Sequence, residues 1–228
     1  MKERLVMKKI IALILASVMM LTLAACGKTP AENPSNTTAP TTTPTTAPTT
    51  KVPTKEELAA AASVEAIAKA QLNKFIEFAG MRASYDEYMA ELEEADRIPF
   101  EEFISYQVTC RAIEKNEEWL TALESVPTGF SEAYTYGPNM MGQAFIGYIF
   151  RVAEGTNVES FKANLKEICI PRWNICTEAN TIICESYGNI VFFSMMVVID
   201  NEHPDGFTEA QKQEFLNTFT ASIEGSAK

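Results

Sequence analysis

The chain has 228 residues, of which 46% are hydrophobic and 10% aromatic, enough to fill the core of a globular domain. Its 30 acidic against 19 basic residues give a formal net charge of −11, which argues against nucleic acid or an anionic membrane surface as a partner. A single histidine excludes HExxH-type zinc sites, which need two, and the chain has neither a GxxxxGKS/T phosphate loop nor a GxGxxG turn.

Residues 1–25 have the layout of a signal peptide. Lys2, Arg4, Lys8 and Lys9 form a basic start, followed by two apolar runs, Ile10 to Leu15 and Val18 to Leu21, with Met1 or Met7 as the initiator. The apolar stretch falls short of the roughly 20 residues of a comfortable membrane span. It ends in Leu23-Ala24-Ala25-Cys26, which resembles the bacterial lipobox. That resemblance implies cleavage before Cys26 and a diacylglycerol on its thiol. The chain is then expected to be held on the extracytoplasmic face of the cell membrane by acyl chains worth about 0.8 kcal/mol per buried CH2. Loss of residues 1–25 removes four basic side chains and one acidic, and brings the formal charge to −14.

Residues 26–54 read as a lipid-anchored, disordered linker. From Thr29 to Thr54, 11 threonines and 6 prolines fill 17 of 26 positions, a composition that cannot bury a core. Frequent proline favours extended polyproline II, so at about 3.1 Å per residue the spacer can reach roughly 80 Å. Its threonines are candidates for O-glycosylation.

Residues 55–228 are one domain's worth of chain, without internal repeats. Thr54-Lys55-Glu56-Glu57 is a capping-box signature. Val64, Ile67, Ala68, Leu72, Phe75 and Ala79 then follow at helical spacing, and Gly80 can end that helix. Ser84-Tyr85-Asp86-Glu87 reads as a second box, opening a helix that ends before Pro99. Residues 100–124 carry two signals. Ile104, Tyr106, Val108 and Cys110 alternate with polar residues as in a half-buried strand, but Pro99, Glu101 and Glu102 make a helix start and no turn residue interrupts the run to Leu123. A helix is the expectation here.

The second half is richer in aromatic and β-branched residues. "FSEAYTY" and "QAFIGYIFRVA" read as strands on either side of the turn-like "GPNMMG", and Asn157 caps a predicted helix over Val158 to Ile168. "TIICESY" and "IVFFSMMVVI" flank Gly188-Asn189, a two-residue hairpin turn, and Thr208 with Gln211 opens a last helix. The fold class expected is α+β, with N-terminal helices followed by a mostly antiparallel sheet in the order strand, strand, helix, strand, strand, helix, covered by helices. A doubly wound nucleotide fold would need strict strand–helix alternation.

Two stretches, "FIGYIFRVAEGTNVESFKANLKE" (145–167) and "YGNIVFFSMM" (187–196), carry a further resemblance. Together they resemble the C-terminal module of a family of lipoproteins from Gram-positive gut anaerobes, a domain of unknown function. In that family a strand, a helix with a lysine-rich polar face and a "YGNYVFF"-like hairpin follow a lipobox in this order. The resemblance covers about a third of the chain. It implies fold and location and lends no catalytic residue.

Candidate chemistry is sparse. His203 lies in "DNEHPDGF", a turn-like stretch, and would need a serine or cysteine nucleophile beside it to serve as a catalytic base. Asp200, Asn201, Glu202 and Asp205 offer calcium-type oxygens, but Pro204 stands where the third ligand of an EF-hand loop belongs. Cys110, Cys169, Cys176 and Cys184 read equally as disulfide partners or as buried thiols, with Cys169 and Cys176 closing the shortest loop. Tyr136, Met140, Met141 and Trp173, near Tyr134 and Arg172, are candidate lining for a ligand groove.

These readings point to a membrane-anchored extracytoplasmic lipoprotein, noncatalytic, that binds a partner protein or small ligand as an envelope-accessory module. No cofactor, metal or nucleic acid is expected. The alternative is an envelope hydrolase in which His203 activates a Cys or Ser.

Overall fold

The computed structural model describes residues 52–139, 144–173 and 178–227. The predicted signal segment, Cys26, nearly all of the linker, Met140, Met141 and Cys176 lie outside the described residues.

The domain opens on the first predicted capping box. Glu57 N donates to Thr54 Oγ1 at 3.2 Å and Thr54 N to Glu57 Oε2 at 2.8 Å, starting α1 (Lys55–Ala61). Ser63 Oγ accepts from Ala66 N to start α2 (Val64–Phe78), whose predicted apolar stripe is buried from Val64 to Phe75, with Ala79 only partly covered at the C-cap. Gly80 ends this helix in the left-handed region, φ 65°, and the chain reverses at once into α3 (Met81–Glu91). The second capping box therefore does not form. With no linker after Gly80 the helix starts three residues before Ser84, whose hydroxyl instead donates to Gly80 O at 3.4 Å. The helix also stops at Glu91, well before Pro99, and a single 3-10 turn, Glu94–Asp96, follows.

Residues 100–124 are not one helix. Pro99 does precede α4 (Phe100–Gln107), as expected, but from Val108 the chain is strand β1 (Val108–Ala112). The competing alternation wins there because β2 (Phe130–Pro138) offers β1 a full antiparallel ladder, from Val108↔Pro138 to Ala112↔Tyr134. The rest of the segment is irregular and sends Leu120 and Leu123 into the core.

Then come β3 (Phe145–Val152), α5 (Val158–Ile168) capped by Asn157, the hairpin β4 (Thr181–Tyr187) and β5 (Ile190–Met196), and α6 (Glu209–Glu224) with a complete Thr208/Gln211 box. The five strands form one antiparallel sheet in the order β1-β2-β3-β5-β4, so the fold is α+β with helices on the sheet.

Side chains alternate along each strand, and both faces are buried. Phe145, Ile149, Phe192, Met196 and Tyr136 pack beneath α1, α2 and α6. Tyr148, Phe150, Val191, Phe193 and Met195 pack against Phe161 and Leu165 of α5 and against Leu120 and Leu123. The central strands β3 and β5 hence read as nearly unbroken apolar runs even though the sheet is antiparallel.

Arg151 fastens α1 to this sheet. From the end of β3 its guanidinium donates to Ala59 O at 2.8 Å, to Ala62 O, and to Glu132 Oε2 at 3.2 Å. The carbonyl of Ala59, in the last turn, and that of the C-cap Ala62 lack partners inside the helix, and a cation there also complements the helix dipole. Replacing Arg151 by methionine should cost about 1.5–3 kcal/mol. Hydrogen exchange should show α1 amides losing protection ahead of those in β3 and β5, and equal loss everywhere would contradict the fastening role.

Candidate functional site

Of the candidate groove residues, the two that are described do not meet. Tyr136 is fully buried under α2, its ring 5.9 Å from that of Phe145, while Trp173 packs against the core on the opposite face of the sheet. A five-stranded sheet separates them, so the described pair cannot line one groove. Met140 and Met141 fall outside the described residues. Burial pushes the Tyr136 phenol well up, and its hydroxyl has no hydrogen-bond partner among the described residues.

His203 sits in the turn before α6, as its neighbours suggest. Its Nδ1 lies 2.8 Å from Asp200 Oδ1, which also accepts from the backbone N–H groups of Glu202 and His203. Asn180 Nδ2 donates to Asp200 Oδ2 at 2.8 Å and to Val198 O at 2.7 Å, which ties the turn to the start of β4. Among the described residues no serine or cysteine is bonded to the His203 ring, and no group of three or more His, Cys, Asp or Glu converges as a metal site.

Hydrogen bonds from His203, then from Asn180, hold the Asp200 carboxyl down at about 2. A carboxylate lowered on folding stabilises above its ordinary value near pH 4, and that contribution is lost as the pH falls through about 2. The Tm difference between wild type and Asp200→Asn should therefore be largest above about pH 4 and close towards pH 2. A difference that does not vary with pH over this range would contradict the assignment.

Cys110, Cys169 and Cys184 are free thiols, and the suggested partner of Cys169, Cys176, lies outside the described residues. Cys184 faces α5, where burial pushes its thiol up to about 11 and its Sγ lies 3.7 Å from Lys162 O. Cys110 is half-buried on the α2 side, and burial raises it despite Lys69 nearby. These are the settings of inert, packed thiols, on opposite faces of the sheet.

What the sequence does not announce is a polar corner at the end of β1. Residues 112–116 and 131–134 line a concavity of about 500 Å³, and a second of about 370 Å³ runs from Lys115 and Glu117 to residues 126–130. Lys115 borders both. Arg111 pairs with Glu117 beside them, a bond that lowers the Glu117 carboxyl. The hydroxyl of Ser131 is taken up by Arg151 O at 3.3 Å. Charges of both signs with a backbone edge suit hydrogen bonding to a polar ligand and supply no nucleophile and base. The only local hint is Glu114-Lys115-Asn116-Glu117 directly after a strand.

No family model, curated protein or solved structure matches the chain. Among the described residues no helix is long and apolar enough to cross a membrane.

Proposed function

We propose that the protein is a membrane-anchored extracytoplasmic lipoprotein whose α+β domain is a noncatalytic binding module. The lipobox at Cys26 and the Thr/Pro-rich spacer support the placement. One observation carries the noncatalytic reading: the lone histidine has its Nδ1 tied to Asp200 in a turn, with no described nucleophile bonded to its ring. Both sheet faces are packed with side chains, so binding falls to the outer surface, where the Lys115 corner offers a polar concavity.

Two arms test this. Cells fed an alkyne fatty acid should label wild type in the membrane fraction, while Cys26→Ser should be unlabelled; a wild-type chain without label, or label that survives Cys26→Ser, overturns the anchor. Fluorophosphonate and iodoacetamide probes should give no labelling that depends on His203. A signal abolished in His203→Ala would overturn the noncatalytic reading in favour of the hydrolase.

A further inference from the structure

The α3–α4 hairpin is built unlike the rest of the domain. Of the eleven residues of α3 only Met89 is buried, and of the eight of α4 none is. The two helices are held together by rings: Tyr85 lies 5.2 Å from Phe100 and 5.4 Å from Phe103, and Tyr88 6.2 Å from Phe103. Tyr85 also donates to Ile98 O at 2.7 Å. Tyr88 lies against Phe103, and Tyr106 follows Phe103 at i+3 on α4, so two partly open rings, Tyr88 49% and Tyr106 64% exposed, flank Phe103. Single exposed rings are ordinary, whereas neighbouring ones that form a patch mark interaction surfaces.

Charge says what would cover that patch. Residues 86–102 carry eight carboxylates, and Arg82 and Arg97 are the only basic residues in α3, α4 and the segment between them. Among the eight, only Asp86 has a basic partner in the described structure, Arg82 at 3.4 Å. Arg97 is turned back on Leu92 O. The hairpin already shows what its rings accept, since the Arg82 guanidinium stacks 4.7 Å from the centre of Phe100 and 5.4 Å from that of Tyr85. A second copy of this acidic chain or an anionic lipid surface would be repelled. The hairpin also lies at the other end of the sheet from the start of the domain. The linker joins at Thr54 beside Tyr187, whose ring lies 5.4 Å from Lys55 Nζ, whereas α4 runs into β1 at the opposite, Val108 end of the sheet.

We propose that the aromatic, carboxylate-rimmed face of the α3–α4 hairpin docks a lysine- and arginine-rich segment of another protein, its cations lying over Tyr88 and Tyr106. This rests on the reading of the domain as a binding module, though not on its anchor.

The test measures binding of an amphipathic arginine–leucine peptide to the full chain against salt, with a glutamate–leucine peptide and anionic vesicles as comparisons. Tyr88→Ala and Tyr106→Ala should each weaken binding by about three- to tenfold. Glu91, Glu93 and Glu94→Gln together should flatten the salt dependence, and the same change at the exposed Glu154, Glu167 and Glu178 should do much less. Tyr106 and the six glutamates are on the surface, so their unfolding curves should be unchanged; Tyr88 also packs on Phe103, so Tyr88→Phe, which keeps that contact, is the control for Tyr88→Ala. Equal weakening by the two glutamine sets, insensitivity to both tyrosines, or preference for anionic vesicles would overturn the docking surface. Loss of peptide binding with lipid still on Cys26 refutes the hairpin alone; absence of lipid with peptide binding intact refutes the anchor alone.

Discussion

Replacing Phe145 with alanine should cost about 3–5 kcal/mol, a large share of the 5–15 kcal/mol that holds a typical domain together. Phe145 opens β3 and is 2% exposed. Its ring is the hub of the core beneath α2 and α6, stacked at 4.5 Å on Phe75 and lying 5.4 Å from Phe215 and 5.7 Å from Phe207. These rings come from α2, α6 and the segment leading into α6, so truncation opens a cavity that no single element can collapse into. Urea unfolding followed by circular dichroism measures the loss. A cost below about 1 kcal/mol would mean that the helices do not depend on this hub.

A methyl group at Gly147 should be nearly as damaging, for the opposite reason. Gly147 lies under the ring of Tyr136, its cross-strand partner, and an added Cβ would fall 2.1 Å from Cζ and 2.4 Å from the hydroxyl oxygen. Tyr136 is fully buried, so the ring has nowhere to go without moving α2. Gly147→Ala should cost about 3 kcal/mol, at the upper end for overpacking. Tyr136→Leu takes away the atoms that clash. In that background Gly147→Ala should add little, so the double variant should unfold near Tyr136→Leu alone. Additive costs would place the strain elsewhere.

Much of this fold is written in short-range signals. The Thr54/Glu57 and Thr208/Gln211 boxes, the Asn157 cap and the Gly188-Asn189 turn each complete their hydrogen bonds within a few residues, and each forms as the sequence predicts. Where the reading fails, the deciding partner is distant or the local contest is close. The change from α4 to β1 at Val108 depends on pairing with Pro138, thirty positions on. Ser84 has a good capping sequence, but Gly80 starts the helix first. Tyr136 and Trp173 end up apart because alternation along β2 fixes which face Tyr136 shares with Tyr134, and says nothing about which side of the sheet receives Trp173 after α5. Likewise the sequence signals after Ser84 and over residues 100–124 read as two ordinary helices. That the aromatic face of the α3–α4 hairpin is left partly open is decided by the rest of the fold.

The placement at the membrane is tested most directly by the intact mass of the protein extracted from its native membrane. A chain beginning at Cys26 and carrying diacylglycerol is the result expected, and the same chain with Cys26 replaced should carry no lipid. A chain recovered from the medium without lipid, or one whose first residue lies elsewhere, would contradict the anchoring and leave an acidic α+β domain without its tether.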